Sequence, residues 1–397
     1  MRRVWVLLPI LVRVVSSQYF TQLPLSESPG SDFIPDDPVA KAIVSRALKD
    51  GIVLSEFAFT GPALREIVFW SRFNASQFPR SLLEPAKKST AIDVHAHYAP
   101  RWYGDIRQDP TEWTLRDHLV HMRNHSITES VFSVPNPNIF LGDEKATRAI
   151  ARLLNENMAV LVQVLPRRFN FFATTPLPHV HGSITEARYA LESLGALDVA
   201  LSSNHEGLYL GDTLFTPFFS AMDNSRAIIF VHPTEASLVV NHTFVKANPT
   251  IHSPVLAEFY FETARTFLDL AISQTLANFT NLDFIISHLG GSFPSIIDRG
   301  IPPGPVLDEV MVALRTRCWW DSAGLTYGHQ LGGLLAYNIS PSYLLCGSDH
   351  PYVPSALVPA ASEAIAASPF LNEQEKLQVR AGNAQRLFGG RKRRETV

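Results

Sequence analysis

Five separated segments hold the residues that could do chemistry. They are Asp93-Val94-His95-Ala96-His97, Val231-His232-Pro233, Ser287-His288-Leu289-Gly290-Gly291, Asp321-Ser322-Ala323-Gly324 and Gly347-Ser348-Asp349-His350-Pro351. Imidazole nitrogens with a carboxylate oxygen form the donor set of a borderline divalent ion such as zinc or manganese. Such an ion polarises bound oxygen groups and offsets negative charge as it develops. His95 and His97 are two apart, a spacing that lets a strand turn both to one face. A single pair of this kind arises by chance. A lone His behind an apolar run is more often a satisfied buried histidine than a ligand. The case rests on the recurrence of the pattern. Asp349 also fits a turn residue after Gly-Ser. Asp321 fits either an orienting carboxylate or a cap for the turn after it, and Asp93 fits a carboxylate standing behind the ligands.

Four of the segments share one layout, a short apolar run ending in or just before a His or Asp. Ala91-Ile92 leads into His95 and His97, Ala227 to Val231 into His232, Phe284-Ile285-Ile286 into His288, and Tyr343-Leu344-Leu345-Cys346 into Asp349. Such runs make buried parallel strands, and polar residues at their C-terminal ends are where an α/β barrel keeps its chemistry. Strands are expected near Ile92–Val94, Ser130–Val134, Phe169–Thr174, Asp198–Leu201, Ala227–Val231, Asp283–Ser287, Cys318–Asp321 and Tyr343–Cys346. Eight is the number a closed (β/α)8 barrel requires. Helices are expected over Leu115–Asn124, Glu144–Val164, Ile184–Leu194, Phe215–Asn224, Glu258–Asn278 and His329–Tyr337. Val239 to Pro254 reads as a loop over the site. Pro302-Pro303-Gly304-Pro305 is expected to break the helix after strand six.

Before the barrel, residues 18–90 read as an N-terminal extension with helices at Ala40–Lys49 and Ala63–Trp70 and a linker from Pro79 to Thr90. Residues 1–17 read as a signal peptide: Met1-Arg2-Arg3 is basic, Val4 to Val15 is apolar apart from Arg13, and Ser16-Ser17 is small. The run falls short of the roughly 20 apolar residues of a membrane span. Secretory entry is therefore expected, with a cytoplasmic location as the alternative. Asn74, Asn124, Asn241, Asn278 and Asn338 begin N-x-S/T triplets that would permit glycosylation. Of the 397 residues 46% are apolar and 18% charged, the composition of a globular chain with a large core. A net charge of -3 gives no case for nucleic acid or an acidic membrane surface. Cys318 and Cys346 are too few for a disulfide framework and are expected as thiols.

The pieces IDVHAHYAP, SITESVFSVPNP, FLGDE, FNFFATTPLPHV, YLGD, VHPT, FYFETARTFLDL, ISHLGGSFP, WWDSAG and YLLCGSDHPYVP occur in order between Ala91 and Phe388. In these the chain resembles the amidohydrolase-related metal-dependent decarboxylases, the group of aminocarboxymuconate-semialdehyde decarboxylase, and most closely the fungal 6-methylsalicylate decarboxylase branch. The resemblance implies a TIM-type barrel of the metal-dependent amidohydrolase superfamily over residues 91–390. It implies His95, His97, His232 and Asp349 as metal ligands, with zinc ahead of manganese and no organic cofactor. It places His288 beside the metal, the alternative being a fourth imidazole ligand, and makes Asp349 and His288 the two candidate proton donors. An arginine matching Arg299 reaches a neighbouring subunit's site in that family, which implies a homodimer; the alternative is a surface salt bridge. The implied reaction is non-oxidative decarboxylation of an ortho-hydroxy aromatic acid, 6-methylsalicylate to 3-methylphenol and CO2, in fungal polyketide metabolism. Hydrolysis of a lactone or ester at the same metal is the alternative. Tyr98, Trp102, Trp113 and Phe293 are candidate walls for a planar ring, and His205 and Glu206 candidate contacts at the mouth. His350 is expected to point away from its neighbour Asp349. No role is expected for His118, His121, His125, His179, His181, His242, His252 or His329.

Overall fold

The computed structural model describes residues 36–389 apart from 86–89, 108, 110, 136–141, 241–242, 248–249, 325 and 354–363. The expected leader, Asn241 and His242 lie outside these residues. Eight parallel strands form one sheet in chain order. They are β1 (Ala91–His97), β2 (Ile127–Ser133), β3 (Phe169–Thr174), β4 (Asp198–Ser202), β5 (Ile228–His232), β6 (Asp283–Ile286), β7 (Cys318–Asp321) and β8 (Leu344–Leu345). The sheet closes on itself where Val94 N–H donates to Cys346 O at 2.9 Å and His97 N–H donates to His350 O at 2.8 Å. The expected (β/α)8 barrel is thus the observed one, with every strand in its predicted place.

Side-chain parity sorts the strands into an inside and an outside. Ile228, Phe230, Ile285, Trp319 and Leu345 fill the barrel interior with Ile92, Val94 and Phe172. Ile229, Val231, Phe284 and Ile286 face out against the helices. Continued past Phe230, the inward parity places His232 at the mouth, and past Trp319 it places Asp321 there. β1 is the exception. Ile92 and Val94 point inward, so unbroken alternation would send His95 and His97 outward. The register between β1 and β2 jumps between Asp93 and Ala96, where Val94 and His95 together oppose Val131. That extra residue is a bulge, and bulges re-aim side chains.

The surrounding helices are α1 (Pro38–Lys49), α2 (Thr60–Ser71), α3 (Leu115–Asn124), α4 (Glu144–Val164), α5 (Val180–Ser193), α6 (Thr216–Asn224), α7 (Glu258–Ile272), α8 (Pro305–Thr316) and α9 (Gly328–Leu335). Three expectations change. The span Glu258–Asn278 is two helices, because Gln274 takes a left-handed φ of 62° after α7. Pro302 to Pro305 makes the expected break after β6, lying between the short helix Ile297–Gly300 and α8, where Pro305 sits in the first turn and no N–H is needed. The stretch 239–254 contains a hairpin, Ser237–Val240 paired with Thr243–Lys246, rather than an unstructured loop. The linker before β1 carries a one-turn helix, Arg80–Leu83. Both cysteines are free thiols. Asn74, Asn124, Asn278 and Asn338 are all exposed. Among the described residues no helix is long and apolar enough to cross a membrane.

The extension docks as part of the barrel's outer wall. Ala40, Ile43 and Ala47 of α1 and Leu64, Ile67 and Trp70 of α2 share one apolar cluster with Ile150, Leu153 and Leu154 of α4. Buried charges lock the same interface. Arg152 is wholly buried, with Nε 2.9 Å from Glu186 and Nη2 2.6 Å from Asp50 at the end of α1. Its guanidinium lies 3.7 Å from the Tyr189 ring centroid. Arg46 of α1 donates to both Glu156 oxygens at 3.0 Å and to the Tyr189 hydroxyl at 2.7 Å. Removing one partner of a buried pair leaves the other charged and unpaired, at a cost of about 3–5 kcal/mol. Arg152→Ala is therefore expected to lose about that much stability in urea unfolding. Much of the loss should return in Arg152→Leu combined with Glu186→Leu. A single-variant loss below about 1 kcal/mol would show the network to be incidental.

Candidate active site

At the barrel mouth His95, His97, His232 and Asp349 bring one donor atom each to within 4.8 Å of one another. Each imidazole is oriented from behind. His95 Nδ1 donates to Asp321 Oδ2 at 3.0 Å, His232 Nδ1 to the Pro233 carbonyl at 2.8 Å, and His97 Nδ1 meets the Ser133 hydroxyl at 3.1 Å. Ser133 faces inward on the parity of Val131. These bonds leave the Nε2 atoms to converge. His95 Nε2 and His97 Nε2 are 3.2 Å apart, and His97 Nε2 is 3.0 Å from Asp349 Oδ1. Ligands on a tetrahedral ion with bonds of about 2.1 Å stand about 3.4 Å apart. The donor set and its spacing therefore fit a divalent cation, with outer partners of the kind metal-bound histidines carry.

The charge pattern suits the same reading. Burial opposes the Asp349 charge, but His288, His97 and His95 outweigh it and hold the carboxyl well below its ordinary value. Burial pushes His232 well down and His97 down, so both favour the neutral form that ligates. Burial also works against the His95 charge, yet Asp321, Asp349 and Asp93 together raise its pKa. Asp93 is buried, which lifts it to about 7 against its hydrogen bonds. It accepts from Ser348 N at 2.9 Å, Ser348 Oγ at 2.6 Å and His95 N at 3.2 Å, strapping the loop after β8 to β1. In that loop Asp349 has φ 60°, and a Cβ on Gly347 would lie 2.8 Å from His95 Cβ. Only glycine fits there.

His288 stands apart from the four. Its Nε2 is 3.7 Å from Asp349 Oδ2, beyond hydrogen-bond length, and its buried Nδ1 has no hydrogen-bond partner among the described residues. Asp321 serves it as well, accepting from His288 N at 3.1 Å and Ala323 N at 3.0 Å through Oδ1. Both readings of Asp321 hold at once: one oxygen orients His95, and the other caps the turn.

Aromatic rings border this centre, though not the ones expected. Tyr352 lies 5.5 Å from the His97 ring, Phe259 6.2 Å from His232, and Tyr260 is stacked 5.8 Å from His288 at 21°. Tyr352 donates to Asp109 at 2.8 Å, and Asp109 is 3.2 Å from Arg107. The expected walls are core instead. Tyr98 donates to Asn157 and packs on Trp113 and Phe132. Trp102 packs on Phe59 and Tyr103, and Phe293 is fully buried beside Phe267. Apolar surface exceeds what one mouth can hold, so most aromatics near motif residues serve packing. Tyr352 was readable as the third residue after Asp349. Phe259 and Tyr260 arrive from α7, at the start of the FYFETARTFLDL piece, and were not singled out as walls. His205 is buried against Phe215, and Glu206 faces His179. Arg299 is exposed on the short helix Ile297–Gly300 and is not part of the centre within one chain. His350 points away from Asp349 and stacks on His121 at 4.0 Å, beside His118.

The barrel and its oriented histidines define an enzyme whose His95, His97, His232 and Asp349 could hold a metal ion. The amidohydrolase family model matches residues 92–390, and the chain belongs to that family. It is 29% identical over 322 residues to the 6-methylsalicylic acid decarboxylase of Penicillium expansum, covering 75% of this chain and 95% of that one. It is 32% identical over 225 residues to the decarboxylase yanB of Aspergillus niger, covering 52% of this chain; the matched region spans 60% of that relative's length. A crystal structure described as an amidohydrolase II superposes with a TM-score of 0.68 at 27% identity, covering 75% of this chain and 99% of that one.

Two outcomes are expected from this geometry. His97→Ala should lose its metal on desalting, measured by elemental analysis. Ser133→Ala, which only frees the ring behind the ligand, should weaken metal affinity by about 10- to 100-fold. Normal metal content in His97→Ala would refute the ligand set. The histidines behind the site govern acid stability. Burial, with His350 and His125, pushes His121 down to about 2, and burial with its charged neighbours holds His118 well below 6.5. Below about pH 6.5 the unfolded chain binds protons that the folded one refuses, so stability falls as pH falls. The urea midpoint should drop between about pH 7.5 and about pH 5.5, and drop less in His121→Phe. An equal drop in the variant would remove His121 from the cause.

Proposed function

We propose that this enzyme removes CO2 from an ortho-hydroxy aromatic acid, with 6-methylsalicylate as the leading substrate and 3-methylphenol as product. One observation carries the reading. The imidazole of His288, whose Nδ1 has no hydrogen-bond partner among the described residues, stands beside a three-histidine, one-aspartate centre bordered by aromatic rings. The named activity of the Penicillium relative supports it. A divalent ion held by His95, His97, His232 and Asp349 would anchor the acid's carboxylate and adjacent hydroxyl and offset their charge, zinc leading and manganese next.

The chain's own residues do the rest. Tyr352, Phe259 and Tyr260 hold the flat ring and exclude water, fixing the carboxylate-bearing carbon near Asp349. Asp349 and His288 act as one proton-handling pair. Asp349, within the centre, is the first candidate to deliver the proton to the ring, and His288, 3.7 Å from it, acting through a water, is the second. The ring carbon takes the proton. The electrons of the bond to the carboxylate then return to the ring, CO2 leaves, and aromaticity is restored. Solvent returns one proton to the pair, so the sum is carboxylate plus proton giving phenol plus CO2. Arg299, exposed outside the single-chain centre, is proposed to reach the site of a second copy, where a guanidinium fork suits a carboxylate or phenolate.

The test is the purified protein with 6-methylsalicylate, following CO2 and 3-methylphenol together. Equal amounts of both are expected, abolished by a chelator and restored by zinc or manganese. Metal-loaded protein that releases no CO2 from this acid or from a panel of hydroxybenzoates would end the reading. A new carboxylic acid formed from ester or lactone substrates would then establish hydrolysis.

A further inference from the structure

We infer that Gln330 is the positioning residue for His288, acting on the backbone of that residue and not on substrate. The inference rests on the reading of His288 as a proton-handling group. His288, Leu289, Gly290 and Gly291 form an unbroken left-handed run, with φ of 56°, 50°, 83° and 55°. Two of these four carry side chains, for which the left-handed region is unfavourable. Such a conformation persists only where its surroundings over-determine it, and it concentrates at functional sites.

The surroundings can be named. The run begins with His288 N–H donating to Asp321 Oδ1 at 3.1 Å. Its turn is closed by Gly291 N–H donating to His288 O at 3.0 Å. Gln330 of α9 then reaches in from outside. Its Nε2 donates to His288 O at 2.5 Å and lies 3.5 Å from Gly291 O, so one amide spans both ends of the turn. The imidazole is held on two further sides. The Tyr260 ring is stacked on it, and Ser292 N–H donates to Tyr260 O at 3.1 Å, which ties the end of the run to the same residue. Against its edge sits Gly324, φ 73°, where a Cβ would fall 3.0 Å from His288 Cδ2. This absorbs the Ser-His-Leu-Gly-Gly and Asp-Ser-Ala-Gly segments into one cradle. Tyr260 borders the substrate space and Asp321 holds a metal ligand. Gln330 is the side chain of the cradle whose hydrogen bonds, among the described residues, go to this turn alone.

The consequence follows from geometry. Without the amide the left-handed turn relaxes, His288 leaves its place beside Asp349, and the metal ligands stay where they are. A displacement of about 1 Å in a reacting group costs on the order of 100-fold in rate. Gln330→Ala should therefore lower kcat by about 10- to 100-fold. KM and metal content should stay within about twofold of the parent. Gln330→Glu keeps the shape but, when ionised, offers only acceptors to two carbonyl oxygens. It should match the alanine variant at neutral pH and recover relative to the parent as pH falls and its carboxyl regains a donor. In a His288→Ala background, Gln330→Ala should cost nothing further, because both act through one group.

The outcomes separate the two layers. Full activity in His288→Ala would overturn the reading of His288 itself. Loss in His288→Ala with parental kcat in both Gln330 variants would overturn only the inference about Gln330. A fall in metal content, or a rise in KM, as large as the fall in kcat would also overturn it, by showing a general disturbance. Intact folding of the glutamate variant, checked by circular dichroism, keeps the comparison valid if the alanine variant is unstable.

Discussion

The buried carboxylate of Asp321 is the contact on which the rest of the site depends. One oxygen takes the proton of His95 Nδ1 and so fixes which nitrogen faces the centre. The other takes the backbone N–H of His288 and starts the left-handed turn. A single rigid group at the end of β7 thereby sets the distance between the three-histidine, one-aspartate cluster and the imidazole beside it. Its own charge is sustained there because His95 and His288 offset the cost of burial. The two functions are coupled through covalent geometry rather than through a mobile loop, which is the preorganisation that charge-handling sites require.

Around that contact the barrel supplies alignment. Parity within each strand decides inside from outside, and the closure of β8 on β1 sets Asp349 opposite His97. The bulge in β1 makes the two principles agree, since Ile92 and Val94 must fill the interior while His95 and His97 must face the mouth. The extension contributes to the outer wall. Its two helices cover α4 with apolar faces, and the Arg152 and Arg46 networks fix their angle. In a chain of this size, such a covering buries further apolar area on the barrel's flank.

Much of this was legible in the residues. The eight apolar runs and the His and Asp at run ends are local signals, and each strand and the Glu144–Val164 helix appear where they were expected. His95, His97, His232 and Asp349 were named from their positions and meet in space. The aromatic border was not legible. Tyr98, Trp102, Trp113 and Phe293 sit near the His and Asp segments yet pack into the core, while Phe259 and Tyr260 open the FYFETARTFLDL piece, where nothing local marks them as facing the centre. Sequence proximity carries no information about which way a ring turns once competing packing sites exist.

The order of residues by itself determined the barrel, its strand ends and the kind of atoms gathered there, because period, run length and donor chemistry are properties of short segments. Only the tertiary structure decided which nitrogen of each histidine faces inward, that His288 lies outside the ligand cluster, and that Gln330 holds its turn. Those are outcomes of hydrogen bonds between residues up to 226 apart in the chain, such as His95 with Asp321. A contact of that range exists only after the barrel has closed.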